Sequence, residues 1–274
     1  MMRLARFPRI TVACLLAGAA IMAGAALVAC GTENKAKEPE QTVAPTVQAT
    51  STAQAERPWE FRHQLGITAA FAPADPALYR SLLPKQFDVP QSSLVVMAVV
   101  YYDDVTLPLT PYHEGYVLLQ CSFQGQTGWY VLTMPVDEQM ANAGGRALGF
   151  PKYIADQIAL DEGLGSWSGA VSYQGLIVMG VGFTSDGKEP LAASSADPGL
   201  PIFLLVPPTE GPQVNEVDID VTGERQTVTT SGTATVYADP SEPWAGLVPP
   251  MGTQIWGQYQ QMSGPGWVLT AKQR

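Results

Sequence analysis

The chain has 274 residues, 46% of them hydrophobic, with 15 Lys and Arg against 25 Asp and Glu. This acidic balance, with no basic cluster beyond the first ten residues, excludes a phosphate-backbone partner, so no nucleic acid is expected. The few cysteines and the two histidines, His63 and His113, form no cluster, which excludes a zinc site.

Arg3, Arg6 and Arg9 precede an apolar run from Ile10 to Val28, the pattern of a secretory signal. The run closes on Leu27-Val28-Ala29-Cys30, which resembles the lipobox of bacterial lipoproteins and makes Cys30 the expected lipid anchor on the extracytoplasmic side of the membrane. Ordinary secretory cleavage and a single membrane span are the alternatives, although the run is near the lower length limit for a span. With residues 1–29 removed, 12 of the 15 basic residues face 25 acidic ones, a balance near −13. Residues 30–57 are rich in Thr, Ala, Gln, Glu, Lys and Pro and read as a flexible tether. The remaining domain, 58–274, is long enough to bury one sizeable core.

Within the domain, Asp75 and Pro76 mark the N-cap and first turn of a short helix that ends before Pro84. Ser93–Tyr102 is a β-branched run that reads as an inner strand. Tyr116–Phe123 and Trp129–Met134 flank Gln124–Gly128, which has the composition of a hairpin loop. Cys121 lies in the first of these runs and reads as a buried core residue, whereas Cys14 leaves with the signal. Asp137–Ala147 changes period and suits a short helix with two acids in its first turn. Ser166–Tyr173 and Leu176–Phe183 form a second hairpin around Gln174-Gly175, and Ile202–Val206, Val214–Val221 and Gln226–Tyr237 supply further strands. Trp244 and Trp256 read as core.

Lys152 stands out, because Gly149-Phe150-Pro151-Lys152 places a lysine among apolar residues and glycines. Burial disfavours the ammonium, and a free amine can attack a ketone. Together, Asp137-Glu138, Gly145-Arg146 and Gly149-Phe150-Pro151-Lys152 resemble the acetoacetate decarboxylase family, in which a Phe/Tyr-Pro-Lys step carries a Schiff-base lysine. The resemblance extends to the helix from Asp75 to Pro84 and to Tyr112-His113-Glu114, which looks like the segment with an active-site glutamate. Pro207–Gly211 and Glu242-Pro243-Trp244-Ala245 resemble the late strand and closing loop.

The resemblance implies an α+β, mostly β fold: an antiparallel cone-like β-barrel with a few short helices. It implies Lys152 as nucleophile, Glu114 as its proton-transfer or carboxylate-positioning partner, and a pocket that includes Phe150, Tyr153, Met97 and Arg146. Arg146 is also expected to pair with Asp137 or Glu138 on the preceding helix. The implied substrate is a small carbonyl compound, handled without metal or organic cofactor, and a homo-oligomer is compatible with a family that assembles variously. Three departures stand out: Tyr153 replaces a frequent second lysine, and apolar residues near Val95 and Leu65 replace a glutamate and an arginine. An apolar pocket is therefore expected. The functional reading is a membrane-anchored Schiff-base lyase, with a small-ligand-binding lipoprotein on the same fold as the alternative.

Overall fold

The computed structural model describes residues 60–106, 108–195, 200–206, 213–221 and 225–274. The expected signal peptide, Cys30, the tether and the Pro207–Gly211 segment lie outside the described residues.

The elements run β1 (Phe61–Phe71), α1 (Pro76–Leu82), β2 (Val95–Val105), β3 (Tyr112–Phe123), β4 (Gln126–Val136), α2 (Gln139–Ala147) and β5 (Lys152–Ile154). They continue with β6 (Gln157–Glu162), β7 (Ser166–Tyr173), β8 (Leu176–Ser185), β9 (Leu191–Ser195), β10 (Ile202–Val206), β11 (Gln213–Val221), β12 (Arg225–Ala238) and β13 (Ile255–Gln273).

Local chemistry accounts for several boundaries. The Asp75 carboxylate accepts hydrogen bonds from the Ala77 and Leu78 backbone N–H groups at 2.8 and 2.9 Å, and Pro76 fills the first helical turn. The β3–β4 connection is tighter than its composition suggested. Gln124 and Gly125 both take positive φ, 51° and 82°, so a two-residue turn closes the hairpin and Gln126–Gly128 join β4. The β7–β8 turn repeats this geometry at Gln174 and Gly175, with φ of 52° and 78°. α2 starts later than its acids suggested: Glu138 is the N-cap, accepting from the Ala141 N–H at 2.5 Å, and Asp137 stands outside the helix.

The strands form one sheet in the order β1-β2-β3-β4-β10-β11-β13-β12-β8-β7-β6. β13 is long enough to pair twice. Its C-terminal half lies beside β11, and its N-terminal half runs between β1 and β12. The pairings β1-β2-β3-β4-β10-β11-β13 therefore return to β1 as a ring, while β12, β8, β7 and β6 branch away and leave the sheet as a whole open. The expected cone-like barrel is realised in this looser form.

Alternation sorts the side chains into two cores. Val96, Ala98, Val100, Tyr102, Tyr116, Leu118, Met134 and Met262 meet inside the ring, with Ala141 and Leu148 of the α2 region covering one end. The opposite face of β1–β3 carries Ile67, Met97, Val99, Val117 and Cys121, which pack against Val171, Met179, Val181 and Phe183 of the branching strands. β2 is thus covered on both sides, which is why its apolar run is continuous.

Candidate active site

Glu114 belongs to β3, between Val100 of β2 and Val136 of β4 in register, and its side chain faces the ring interior. Lys152 begins β5, beside Met134. Between α2 and β5 the chain reverses through Gly149, whose φ of 97° is left-handed, and the Phe150 N–H bonds back to the Gly145 carbonyl at 3.0 Å. This reversal lays the lysine stem across α2. A Cβ at Gly145 would lie 2.4 Å from Lys152 Cδ, so the stem fits only because residue 145 has no side chain.

The two groups meet: Lys152 Nζ donates to Glu114 Oε2 at 2.5 Å, and both side chains are fully buried. The Tyr112 and Phe150 rings stand 5.8 and 5.9 Å from the nitrogen. Glu114 Oε1 and the Tyr112 hydroxyl are buried with no protein partner. Burial pushes the Glu114 carboxyl up from its ordinary range, an effect that the adjacent Lys152 opposes and Asp137 reinforces. The Tyr112 hydroxyl is likewise pushed up, by burial first and by the Glu114 carboxylate second.

His113 ties α2 to β3. Its backbone N–H and its Nδ1 contact the two Asp137 carboxylate oxygens at 2.7 and 2.8 Å, and its ring stacks on Tyr101 at 4.4 Å. The anchor sits one residue from Glu114 and one from the helix N-cap.

Of the residues expected in the pocket, Phe150 is brought to the amine and three are not. Met97 packs in the outer core, because its side chain leaves β2 on the face opposite Val100 and the Glu114 row. Tyr153 follows Lys152 on a strand and so points away. It packs edge-on against Tyr173 at 4.9 Å, and burial raises its hydroxyl to about 12. Arg146 is exposed on α2, and neither expected partner takes it, since Asp137 is held by His113 and Glu138 caps the helix. Trp256 is 39% exposed rather than core, whereas Trp244 is buried. Leu65 and Val95 also face outward, and Gln64, the neighbour of Leu65, is buried on the inner face, so the interior is more polar than expected.

Sequence reasoning named Tyr112 and Gly145 only as parts of motifs. The signal for Tyr112 was its place two residues before Glu114, which puts both on one face of a strand. For Gly145 there was no signal short of the packed lysine. An open cleft of about 470 Å³ lies elsewhere, between Glu162, Trp167, Thr184 and Gln254, and holds none of the predicted site residues.

Comparison with known proteins bears on this arrangement. The profile of the acetoacetate decarboxylase family matches residues 44–248. An acetoacetate decarboxylase from Chromobacterium violaceum is 28% identical over 152 residues, which are 52% of this chain and 59% of that relative. A solved acetoacetate decarboxylase structure superposes with a TM-score of 0.66 at 18% identity, covering 83% of this chain and 93% of its own. The enduracididine biosynthesis enzyme MppR, solved with the condensation product of pyruvate and imidazole 4-carboxaldehyde, superposes with a TM-score of 0.60 at 18% identity, covering 82% and 92%.

Proposed function

The chain belongs to the acetoacetate decarboxylase family, and from that premise we propose that it is a Schiff-base-forming lyase acting on a small β-keto acid or related carbonyl compound. The observation that carries this reading is the enclosed Lys152–Glu114 pair, in which the glutamate keeps one oxygen without a partner. A proton passed from the Lys152 ammonium to the Glu114 carboxylate along the 2.5 Å contact, toward a carboxyl whose uncharged form burial favours, supplies the neutral amine for reaction.

The lone pair of Lys152 Nζ then attacks the carbonyl carbon. The Glu114 carboxyl returns its proton to the carbonyl oxygen, and the carboxylate so formed takes one proton from the nitrogen and passes it to the same oxygen, which departs as water and leaves an iminium. In a β-keto acid the bond to the carboxylate breaks, CO2 leaves, and the bonding electrons pass into the iminium to give an enamine. Protonation of the enamine carbon and hydrolysis by water release the ketone and restore the amine. Tyr112 and Phe150 exclude bulk water from these charged steps.

Borohydride reduction of the purified protein with β-keto acids and ketones tests the reading. A covalent adduct is expected on Lys152, located by peptide mapping and absent in Lys152→Ala; failure to trap any carbonyl compound would reject it. The departures from the family pattern at Tyr153, Leu65 and Val95 favour one competing reading, a small-ligand receptor without turnover. Ligand-induced shifts in melting temperature without adduct or CO2 release would select it. Cys30 is proposed as the lipid anchor, and Cys30→Ala is expected to move the protein from the membrane to the soluble extracytoplasmic fraction.

A further inference from the structure

Buried polar atoms are ordinarily paired, and Gln64 Oε1 and Gln260 Oε1 on the inner face of the ring are not. These residues are 2% and 6% exposed and take no part in the Lys152–Glu114 contact. Strand register relates them to it. Gln64, Tyr102 and Tyr112 oppose one another across β1, β2 and β3, and Gln260, Gly66, Val100 and Glu114 form the adjacent row from β13 to β3. Gln64 and Gln260 are diagonal neighbours on β1 and β13, about 7–8 Å apart, and Gly66 between them adds no side chain. Two strand spacings, about 10 Å in all, separate Gln64 from Tyr112, whose ring packs beside the amine. The Gln260 amide is held in place by its Nε2, which donates to Thr229 Oγ1 at 3.0 Å.

We propose that Gln64 and Gln260 form a specificity subsite for a hydroxyl carried on the substrate chain beyond the reacting carbonyl. The inference rests on Lys152 as the carbonyl-binding amine and names the class of compound that amine receives. A hydroxyl both donates and accepts, so it satisfies either end of an amide. An alkyl terminus would leave unpaired the amide oxygen to which the hydroxyl donates, which costs at least about tenfold in binding. A carboxylate placed there would face two carbonyl oxygens of like polarity.

The test compares methyl ketones that end in a hydroxyl with their methyl-ended isosteres, across a series of chain lengths, by the concentration that half-saturates borohydride trapping on Lys152 of the full chain. The expected result is at least about tenfold tighter capture of the hydroxyl-ended member at one chain length, with the two curves drawn together in Gln64→Leu. Gln260→Met reads the same subsite should Gln64→Leu fail to fold, as judged by its melting curve. Equal capture of both series at every length would mean that ordered water alone satisfies the two amides, and would overturn the subsite while leaving Lys152 as nucleophile. Absence of any adduct in the unaltered protein would overturn both.

Discussion

The two faces of β2 are built from similar residues and lead to different environments. Val95, Met97 and Val99 enter a core of hydrophobic side chains that includes the buried Cys121 and Tyr79. Val96, Ala98, Val100 and Tyr102 enter a ring that also encloses an ion pair and two glutamine amides. An apolar core asks only for volume and shape. A buried polar group asks for a particular partner, and its loss exposes the other member to an uncompensated cost. One strand thus carries stability on one side and the proposed chemistry on the other, and substitutions can separate the two.

The largest expected effect breaks the polar side. Glu114→Leu leaves an ammonium buried without its carboxylate and is expected to lower unfolding stability by about 3–5 kcal/mol and to abolish trapping. Adding Lys152→Met to it restores most of the stability without activity, because the inner face then resembles the outer one. Denaturant midpoints of the three proteins check this. Met97→Ala, on the opposite face of the strand, is expected to cost about 3 kcal/mol through its cavity, while the folded fraction traps ketones at an unchanged rate. A slowed rate would show that the two faces are coupled.

His113→Ala tests the anchor of α2. The His113 and Asp137 side chains are 28% and 29% exposed, so solvent screens the pair and its stability effect is under about 1 kcal/mol. Trapping is nevertheless expected to slow several-fold, because α2 carries the Gly145 surface against which the lysine lies. A further effect concerns pH and is confined to the alkaline range. Burial holds the Cys121 thiol up at about 12 and also raises the Tyr79 and Tyr112 hydroxyls. The folded protein therefore keeps protons that the unfolded chain releases. The stability linked to Cys121 is intact below the unfolded thiol value near 9 and is lost as pH rises toward 12. Melting curves across that window check the sign, and Cys121→Ala is expected to flatten the decline.

Elements with a strong local signature were legible in the sequence. Asp75 and Pro76 marked α1, Gln174-Gly175 marked a hairpin, and the apolar run of β2 announced a strand covered on both faces. β13 was not legible, because Gly257, Gln258, Gln260, Gln261, Ser263 and Gly264 show no alternation of apolar and polar residues. Its strand state comes from β1, β11 and β12, which it joins. At the site, Lys152, Glu114 and Phe150 were legible through motif spacing. Met97 and Tyr153 were misplaced by a single step of strand parity, the smallest error that sends a side chain to the wrong face. The polar interior stayed hidden because the residues that make it belong to β1 and β13, and no local pattern relates strands at opposite ends of a chain.

The double pairing of β13 also sets an order of events. β1 ends at Phe71 and β13 begins at Ile255, so the ring closes by joining the first and last strands of the described domain. Contacts so distant in sequence form late and slowly. A growing chain that has completed β2 to β5 already holds both Lys152 and Glu114, yet lacks the wall that encloses them. Until β13 is in place, that wall is incomplete, and a partly made molecule would carry the proposed nucleophile without the environment that is proposed to turn it toward chemistry.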